Sequence, residues 1–517
     1  MRSTQPAWRS PAAAAAVVLG VLGAWGLPPF LMPWLPLVLA GLFVLVARSQ
    51  APRDAVFIGA GFALGLFAVH ILWLPRSFAA FFGLGFWLLQ PLLLLVLSLM
   101  WGATTGAARW LAGGGRSVLL VLPFAWVTTE WLRSLGPFGF PWGTLGYAAL
   151  DTPLAQAADV VGVHGLSLFF AILAAMLAWP FAGGGGVQRS RTGPWAAWLA
   201  AAVWLTAGLV LGTQRAAIFE AQPVASPERS ALLVQPNVDP FGRTQGPIAD
   251  IETHFAVTEA ALARALQKPD LILWPEGALI GADPARRDAN LLERFEALAP
   301  TATWVVGGRV TRDGGSRNTA FAVEHGVIED RYDKHVLVPF GERFPGIETV
   351  PGLYRGVFAG FGLPMLQGTA PGQAVAPLDA TSAVGAYICY ESVFPFVPRR
   401  MVASGATVLV NITNDAWFSR GVGAQQHFDM GRMRAIETRR WILRAANDGI
   451  TGSVDPLGRV RREMPRFERG ALEVTYREMS GVTPFVRYGH HAPWLLVVGL
   501  AVSLAWARAR SRQVPFR

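Results

Sequence analysis

Hydrophobic and polar positions divide the chain into two regimes. Up to about residue 212, long uncharged runs alternate with short loops that carry arginine. From about 228 to 480, charges are spread through segments of ordinary soluble length, and a last apolar run, 492–506, precedes an arginine-rich tail. Runs long enough to cross about 30 Å of hydrocarbon number about eight, near 11–27, 30–47, 55–74, 79–101, 117–134, 160–181, 195–212 and 492–507. Pro28-Pro29 leaves only a tight hairpin between the first two. Pro91 falls inside the fourth, where neighbouring helices or waters must satisfy the freed carbonyl. Between 228 and 480 the pattern alternates. Strands are expected at 231–234, 271–274, 303–310, 319–324, 384–389, 407–411, 452–454 and 470–474, with helices at 248–266, 290–298 and 425–446. Strands alternating with helices predict a layered α/β domain.

The arginines orient this frame. With eight spans, one side receives Arg2, Arg9, Arg48, Arg53, Arg109, Arg116, Arg189 and Arg191, together with Arg508, Arg510, Arg512 and Arg517; the other has only Arg76 and Arg133 in short loops. The positive-inside rule then puts both termini in the cytoplasm and segment 213–490 on the far face. A cleaved signal peptide competes for residues 1–27, but the spans that follow favour a retained helix. The expected organisation is therefore 1–212 with seven transmembrane helices, 228–480 as an outer catalytic domain, and 492–507 as the eighth helix.

Composition agrees with the membrane reading: 52% of the residues are hydrophobic and only 15% charged. The net charge of +10 is absorbed by the topological arginines. No basic stripe with interleaved aromatics is present, so a nucleic-acid partner is not expected. Residues 336–383 form a stretch with no regular pattern, long for a compact domain. Phe344, Phe358 and Phe361 within it suggest either a lid that touches lipid or a loop folded back on its own core.

Three residues carry the candidate chemistry. Cys389 is the only cysteine, at the end of an apolar run, Gly385-Ala386-Tyr387-Ile388. Alone it reads more readily as a small buried hydrophobe than as a nucleophile. Only two lysines occur, Lys268 in a polar turn and Lys334 just before an apolar run. Where arginine serves almost everywhere, a retained lysine points to a need for a compact, tunable charge. Glu276 directly follows the strand-like Leu271-Ile272-Leu273-Trp274-Pro275, which places a carboxylate at the carboxyl edge of a sheet; by itself it reads more readily as a helix-capping or loop acid.

Glu276, Lys334 and Cys389 in this order are the pattern of the nitrilase superfamily. The chain as a whole resembles the apolipoprotein N-acyltransferases, a membrane-embedded branch of it. The resemblance rests on Glu130-Trp131-Leu132-Arg133 with Gly139-Phe140-Pro141-Trp142 and Gly146-Tyr147, on Trp274-Pro275-Glu276, Asn318-Thr319 and Lys334-His335, and on Val338-Pro339-Phe340-Gly341-Glu342. It continues through Cys389-Tyr390-Glu391, Asn414-Asp415-Ala416-Trp417-Phe418 and Arg444-Ala445-Ala446-Asn447-Asp448-Gly449. One departure is visible. Pro236-Asn237 stands where the family commonly has Gly-Asn, and a tryptophan usual a few residues later is missing, with Phe241 the nearest aromatic.

The resemblance implies a multi-pass α-helical membrane domain joined to a nitrilase-like αββα sandwich. It implies a catalytic triad of Glu276, Lys334 and Cys389, supported by Glu342, Tyr390 and Glu391, with no cofactor and no metal. Cys389 would carry a fatty acyl chain as a thioester, by ping-pong kinetics, from a phospholipid (phosphatidylethanolamine is the expected donor) to the α-amine of an S-diacylglyceryl cysteine at the N-terminus of an apolipoprotein. A monomer in the bacterial inner membrane, with its catalytic domain on the periplasmic side, is expected. Two alternatives stay open at this point: a membrane-tethered amidase that hydrolyses its acyl-enzyme, and a lipid or lipoprotein carrier in which the outer domain merely binds.

Overall fold

The structure, a computed structural model, describes residues 10–83, 87–183, 194–223, 226–239, 246–265, 267–280, 289–312, 315–360 and 368–512. Arg2, Arg9, Arg189, Arg191, Phe241, Phe361 and Arg517, which enter the sequence reading, lie outside them. The chain divides into two units. One comprises 1–135, 140–220 and 488–517; the other comprises 136–139 and 221–487.

The first unit is helical: α1 (Pro11–Ala24), α2 (Leu35–Arg48), α3 (Pro52–His70), α4 (Trp73–Phe82), α5 (Leu89–Ala112), α6 (Arg116–Arg133), α7 (Ala158–Ala178), α8 (Pro194–Glu220) and, at the far end of the chain, α14 (Ala492–Arg512). Among the described residues five helical segments are long and apolar enough to cross a membrane: Pro52–His70, Gln90–Ala112, Pro153–Phe181, Trp195–Glu220 and Pro484–Ala509. The other expected spans fall on shorter or more charged helices. α1 and α2 have 14 residues each, about 21 Å at the helical rise, and α6 carries Arg116, Glu130 and Arg133.

The span expected at 79–101 is displaced along the chain. α4 stops at Gly83, whose φ of 99° a side chain would not tolerate, and α5 starts at Leu89 and runs on to Ala112. Pro91 therefore sits in the first turn of α5, where its missing N–H has no intrahelical partner to lose. Arg109, expected in a loop, lies in the last turn of α5 and donates to the Ser49 and Gln50 carbonyls.

The Glu130–Tyr147 motifs form a polar knot in this unit. The Glu130 carboxylate is buried and accepts from Trp126 Nε1 at 3.1 Å and Leu145 N at 3.0 Å. Arg133 donates to the Phe140 and Trp142 carbonyls and lies over the Trp101 ring.

The second unit is built on two sheets. β1 (Glu228–Gln235), β2 (Leu271–Ile280) and β3 (Thr303–Arg312) run parallel; β4 (Gly315–Glu324), β5 (Val327–Asp333) and, beside β1, β11 (Gly470–Arg477) are antiparallel, in the order β11-β1-β2-β3-β4-β5. The second sheet has the order β10-β9-β8-β7-β6. In it β6 (Val384–Ile388), β7 (Val408–Thr413) and β8 (Ile442–Ala446) are parallel, with β9 (Thr451–Val454) and β10 (Val460–Met464) antiparallel. β1 and β2 face β7 and β8. Helices α9 (Pro247–Leu262) and α10 (Ala289–Leu298) pack on the first sheet, and α12 (Phe396–Ala403) and α13 (Gly423–Thr438) cover the second side. This is the αββα sandwich that the resemblance implied.

Beneath α9 and α10 the edge-to-face rings of Phe255, Trp274, Phe295 and Trp304 fill the outer layer. Burying each phenylalanine there is worth about 1.5–3 kcal/mol, which anchors the strand that leads to Glu276.

The long helix expected at 425–446 is shorter than its pattern implied. α13 ends at Thr438 because Arg439 takes a left-handed conformation, φ 52°, and the fully buried run Ile442–Ala446 becomes β8 between β7 and β9. The irregular stretch 336–383 also contains a helix, α11 (Pro351–Gly360). Phe344 and Phe358 are buried and pack edge-on at 5.2 Å, so these two rings fold back onto the loop's own core instead of facing out. Leu353 and Val357 on α11 are the exposed apolar residues.

Candidate active site

Each candidate residue sits where a regular element breaks off. β2 loses its register against β3 between Trp274 and Leu279, because Pro275 cannot donate to the ladder and Gly277 adopts φ 76°. Glu276 projects from this irregularity. The opposing residue of β3 is Gly307, where a β-carbon would lie 2.4 Å from the Pro275 carbonyl oxygen, so only glycine admits the bulge. Lys334 follows the last residue of β5, with its backbone N–H held by the Asn318 carbonyl at 2.8 Å. Glu342 closes a tight turn in which its own N–H and that of Arg343 return to the Val338 carbonyl. Cys389 is the first residue past the buried strand β6 and has φ 49°. A side-chain-bearing residue in this region stores about 1–2 kcal/mol, a strain common at reactive positions.

These breaks converge. Lys334 Nζ lies 3.1 Å from Glu276 Oε1 and 2.9 Å from Glu342 Oε2, with only 1% of the lysine side chain exposed. Asn318 Nδ2 donates to both carboxylates, at 2.7 Å to Glu276 Oε1 and 2.9 Å to Glu342 Oε1. Glu276 Oε2 receives the Asn414 N–H at 3.0 Å, and Glu342 Oε2 receives the Val338 N–H at 3.0 Å. Oε1 of Glu276 thus meets two donors and Oε2 one, which leaves Oε2 the oxygen with room for a proton.

The electrostatics set the resting state. Burial pushes the Cys389 thiol well above the ordinary thiol range; the Glu276 carboxylate adds to the rise and the Lys334 ammonium opposes it. The thiol is therefore neutral near pH 7 and needs a base in order to attack. Burial alone would pull Lys334 down, but Glu276 and Glu342 together raise it above the usual lysine value, so it stays cationic. Burial likewise pulls Glu342 up, and Lys334 outweighs it, holding that carboxyl below the usual range. A neutral thiol beside a carboxylate and a fixed ammonium can pass its proton to the former and its developing oxyanion to the latter.

Glu391 ties the cysteine turn to the lysine loop. Its Oε1 accepts from Tyr332 Oη at 2.7 Å, His335 N at 2.8 Å and Val336 N at 3.0 Å, while Oε2 accepts from Ile388 N at 2.8 Å. Four donors on a fully buried carboxylate make it a brace between β5 and β6. Tyr390 Oη donates to the Gly139 carbonyl at 2.7 Å. The structure thus brings Glu276, Lys334, Glu342 and Cys389 together, with Glu391 and Tyr390 fastening the turn.

Two sets of residues had no role assigned from sequence. Asn318 bridges both carboxylates, although only its place in a motif marked it. Asp415, His427 and Arg444 form a second buried cluster. Asp415 Oδ1 lies 3.0 Å from His427 Nδ1, Asp415 Oδ2 accepts from Arg444 Nη2 at 2.6 Å, and His427 Nε2 is 3.0 Å from the Cys389 carbonyl. Histidine spacing on its own gave no sign of this, because the partners lie 12 and 17 positions away in sequence.

The fold, the strained cysteine and the Glu–Lys–Glu cluster define a nitrilase-type, cysteine-dependent enzyme. Residues 234–483 match the carbon-nitrogen hydrolase family and residues 19–176 the apolipoprotein N-acyltransferase N-terminal domain. The chain is 35% identical to the apolipoprotein N-acyltransferase of Ralstonia nicotianae, over 96% of this chain and 94% of that protein. It is 34% identical to that of Nitrosomonas europaea, over 95% and 97%. Among solved structures it is similar to a carbon-nitrogen hydrolase from Helicobacter pylori, with TM-score 0.36 and 16% identity over 48% of this chain and 89% of that one. The chain belongs to the apolipoprotein N-acyltransferase family. It is an acyltransferase and, with five long apolar helices among its described residues, a bacterial membrane protein.

Proposed function

We propose that the chain moves a fatty acyl group from a phospholipid, through a thioester on Cys389, to the α-amine of the N-terminal S-diacylglyceryl cysteine of apolipoproteins. The observation that carries the assignment of residues is the buried Glu276–Lys334–Glu342 cluster acting on a strained, neutral thiol. In the first half-reaction Glu276 takes the thiol proton as Sγ attacks the ester carbonyl. Lys334 stabilises the tetrahedral oxyanion, the C–O bond breaks, and Glu276 returns the proton to the lysophospholipid alkoxide. In the second, the α-amine attacks the thioester and loses a proton to Glu276, and the amide forms as the thiol is restored. Glu342 holds Lys334 in place and sustains its charge. Glu391 and Tyr390 shape the turn that presents Cys389.

Phosphatidylethanolamine is the proposed donor, and the working unit is a monomer in the inner membrane. The arginine asymmetry supports cytoplasmic termini with the catalytic unit on the periplasmic side, which requires α1, α2 and α6 to cross as well. Both substrates are lipids, and they are presented on that face. The segment around α11 is proposed as a lid, with Leu353 and Val357 toward lipid.

Radiolabelled phospholipid and a diacylglyceryl peptide test the reaction. Label should move into the peptide, and into free fatty acid only slowly. Label recovered solely as free fatty acid would make the chain a hydrolase.

A further inference from the structure

Ser392, His427 and Asp415 lie in the order of a second nucleophilic triad. Ser392 Oγ is 2.8 Å from His427 Nε2, His427 Nδ1 is 3.0 Å from Asp415 Oδ1, and all three side chains are fully buried. Proton bookkeeping argues for another use. The Cys389 carbonyl, 3.0 Å from Nε2, can only accept, so this contact is a hydrogen bond when Nε2 carries a proton. Both charge states of the ring allow it. A cationic ring donates from Nδ1 to Asp415, and a neutral one accepts there from Arg444 Nη2 at 3.0 Å while keeping its proton on Nε2. With its proton on Nε2 the ring cannot take the Ser392 proton, and the serine is then not activated.

We infer that His427 is a positioning residue for Cys389: its Nε2–H clamps the Cys389 carbonyl, holds the left-handed turn, and so keeps Sγ aimed at Glu276 and Lys334. The rest of the cluster is arranged to serve that bond. Asp415 Oδ1 also accepts from Thr413 Oγ1 at 3.0 Å, and its Oδ2 takes the Arg444 guanidinium, which reaches Asn411 as well. The ring is thus oriented from β7 and β8, the two strands of the second sheet that follow β6 in order, while Cys389 hangs from β6 itself. A residue whose φ of 49° is unfavourable by itself relaxes when its carbonyl is released, and displacements of about 1 Å at a reacting atom slow catalysis by about a hundredfold.

The inference rests on Cys389 being the acyl carrier, and the test separates the two claims. Full-length protein in micelles is mixed with phosphatidylethanolamine, and acyl-enzyme formation is followed by intact mass, with thermal unfolding recorded in parallel. His427→Gln places an amide N–H where Nε2–H was and should acylate within about fivefold of the native rate. His427→Asn cannot reach the carbonyl and should acylate about a hundredfold more slowly at saturating lipid, with its KM unchanged. Ser392→Ala should acylate like the native chain. Equal rates for His427→Asn and His427→Gln, or a Ser392→Ala variant as slow as His427→Asn, would overturn the clamp while leaving Cys389 as carrier. A native protein that forms no adduct would instead remove the carrier reading. Nitrogen NMR of histidine-labelled native chain requires no folded variant: His427 Nε2 should show the signature of a protonated nitrogen at working pH, and a lone-pair signature would contradict the clamp.

Discussion

Two ionic clusters flank the Cys389 turn, and they are built on opposite plans. Glu276, Lys334 and Glu342 set two carboxylates against one ammonium, with the carboxylate side chains 12% and 10% exposed. Asp415, His427 and Arg444 are closed, at 0–3%, and Asp415, although burial opposes it, is held well below the usual carboxylate range by Arg444 and His427. The first cluster has an oxygen to spare for a proton and carboxylates that solvent reaches. The second is sealed from solvent. Under the proposed mechanism and the inferred clamp, the first cluster supplies groups that change protonation and the second supplies groups that hold the turn.

The comparison is broken most sharply by exchanging reactive groups in the first cluster. Glu276→Gln and Lys334→Met should each slow acyl-enzyme formation by about a thousandfold or more, the scale of a lost general base or a lost oxyanion partner, as read by single-turnover mass measurement. A loss below tenfold for Glu276→Gln would take it out of the proton path.

In the second cluster the expected damage is to stability. Asp415→Ala strands the buried Arg444 guanidinium and should destabilise the chain by about 3–5 kcal/mol, visible as early thermal inactivation. An unchanged melting profile would mean that the closed cluster supports nothing.

Glu342 offers a finer distinction through pH. Its carboxyl lies lower in the folded chain than in the unfolded one, so as pH falls the unfolded state takes up the proton first. The stabilisation from its pair with Lys334 is complete above about pH 4.3 and is lost as pH falls through the depressed folded value. Glu342→Gln should therefore melt lower near pH 7 and show a flatter acid limb; a native-like acid limb would assign that sensitivity to other carboxylates. The smallest effect is expected on α11. Leu353→Ser with Val357→Ser should slow acylation by phospholipid severalfold yet spare alkylation by a small soluble thiol reagent. Equal slowing of both reactions would argue against a lid.

How much of this could be read from residues follows the same division. Glu276, Lys334 and Cys389 were legible because each is a chemical exception in its setting: a carboxylate after a buried strand, one of two lysines, the sole cysteine. Local pattern also located β1, β3 and β6, whose apolar runs are bounded by turns. Asp415, His427 and Arg444 gave no such signal, since their meaning lies in three separate elements meeting. β8 was hidden for a related reason: its buried run continues the apolar period of α13, and only the left-handed turn at Arg439 separates them. The break at Gly83 was missed because continuous hydrophobicity from 79 to 101 outweighs one glycine in any window long enough to find a span.

The central claim is that Cys389 carries the acyl chain, and the intact mass of purified protein tests it most directly. Incubation with phospholipid should add the mass of one fatty acyl group, mapped to the peptide containing Cys389, and the adduct should vanish when a diacylglyceryl peptide is added. A peptide that becomes acylated while Cys389 stays unmodified at every time point, or an unchanged rate in Cys389→Ala, would contradict it.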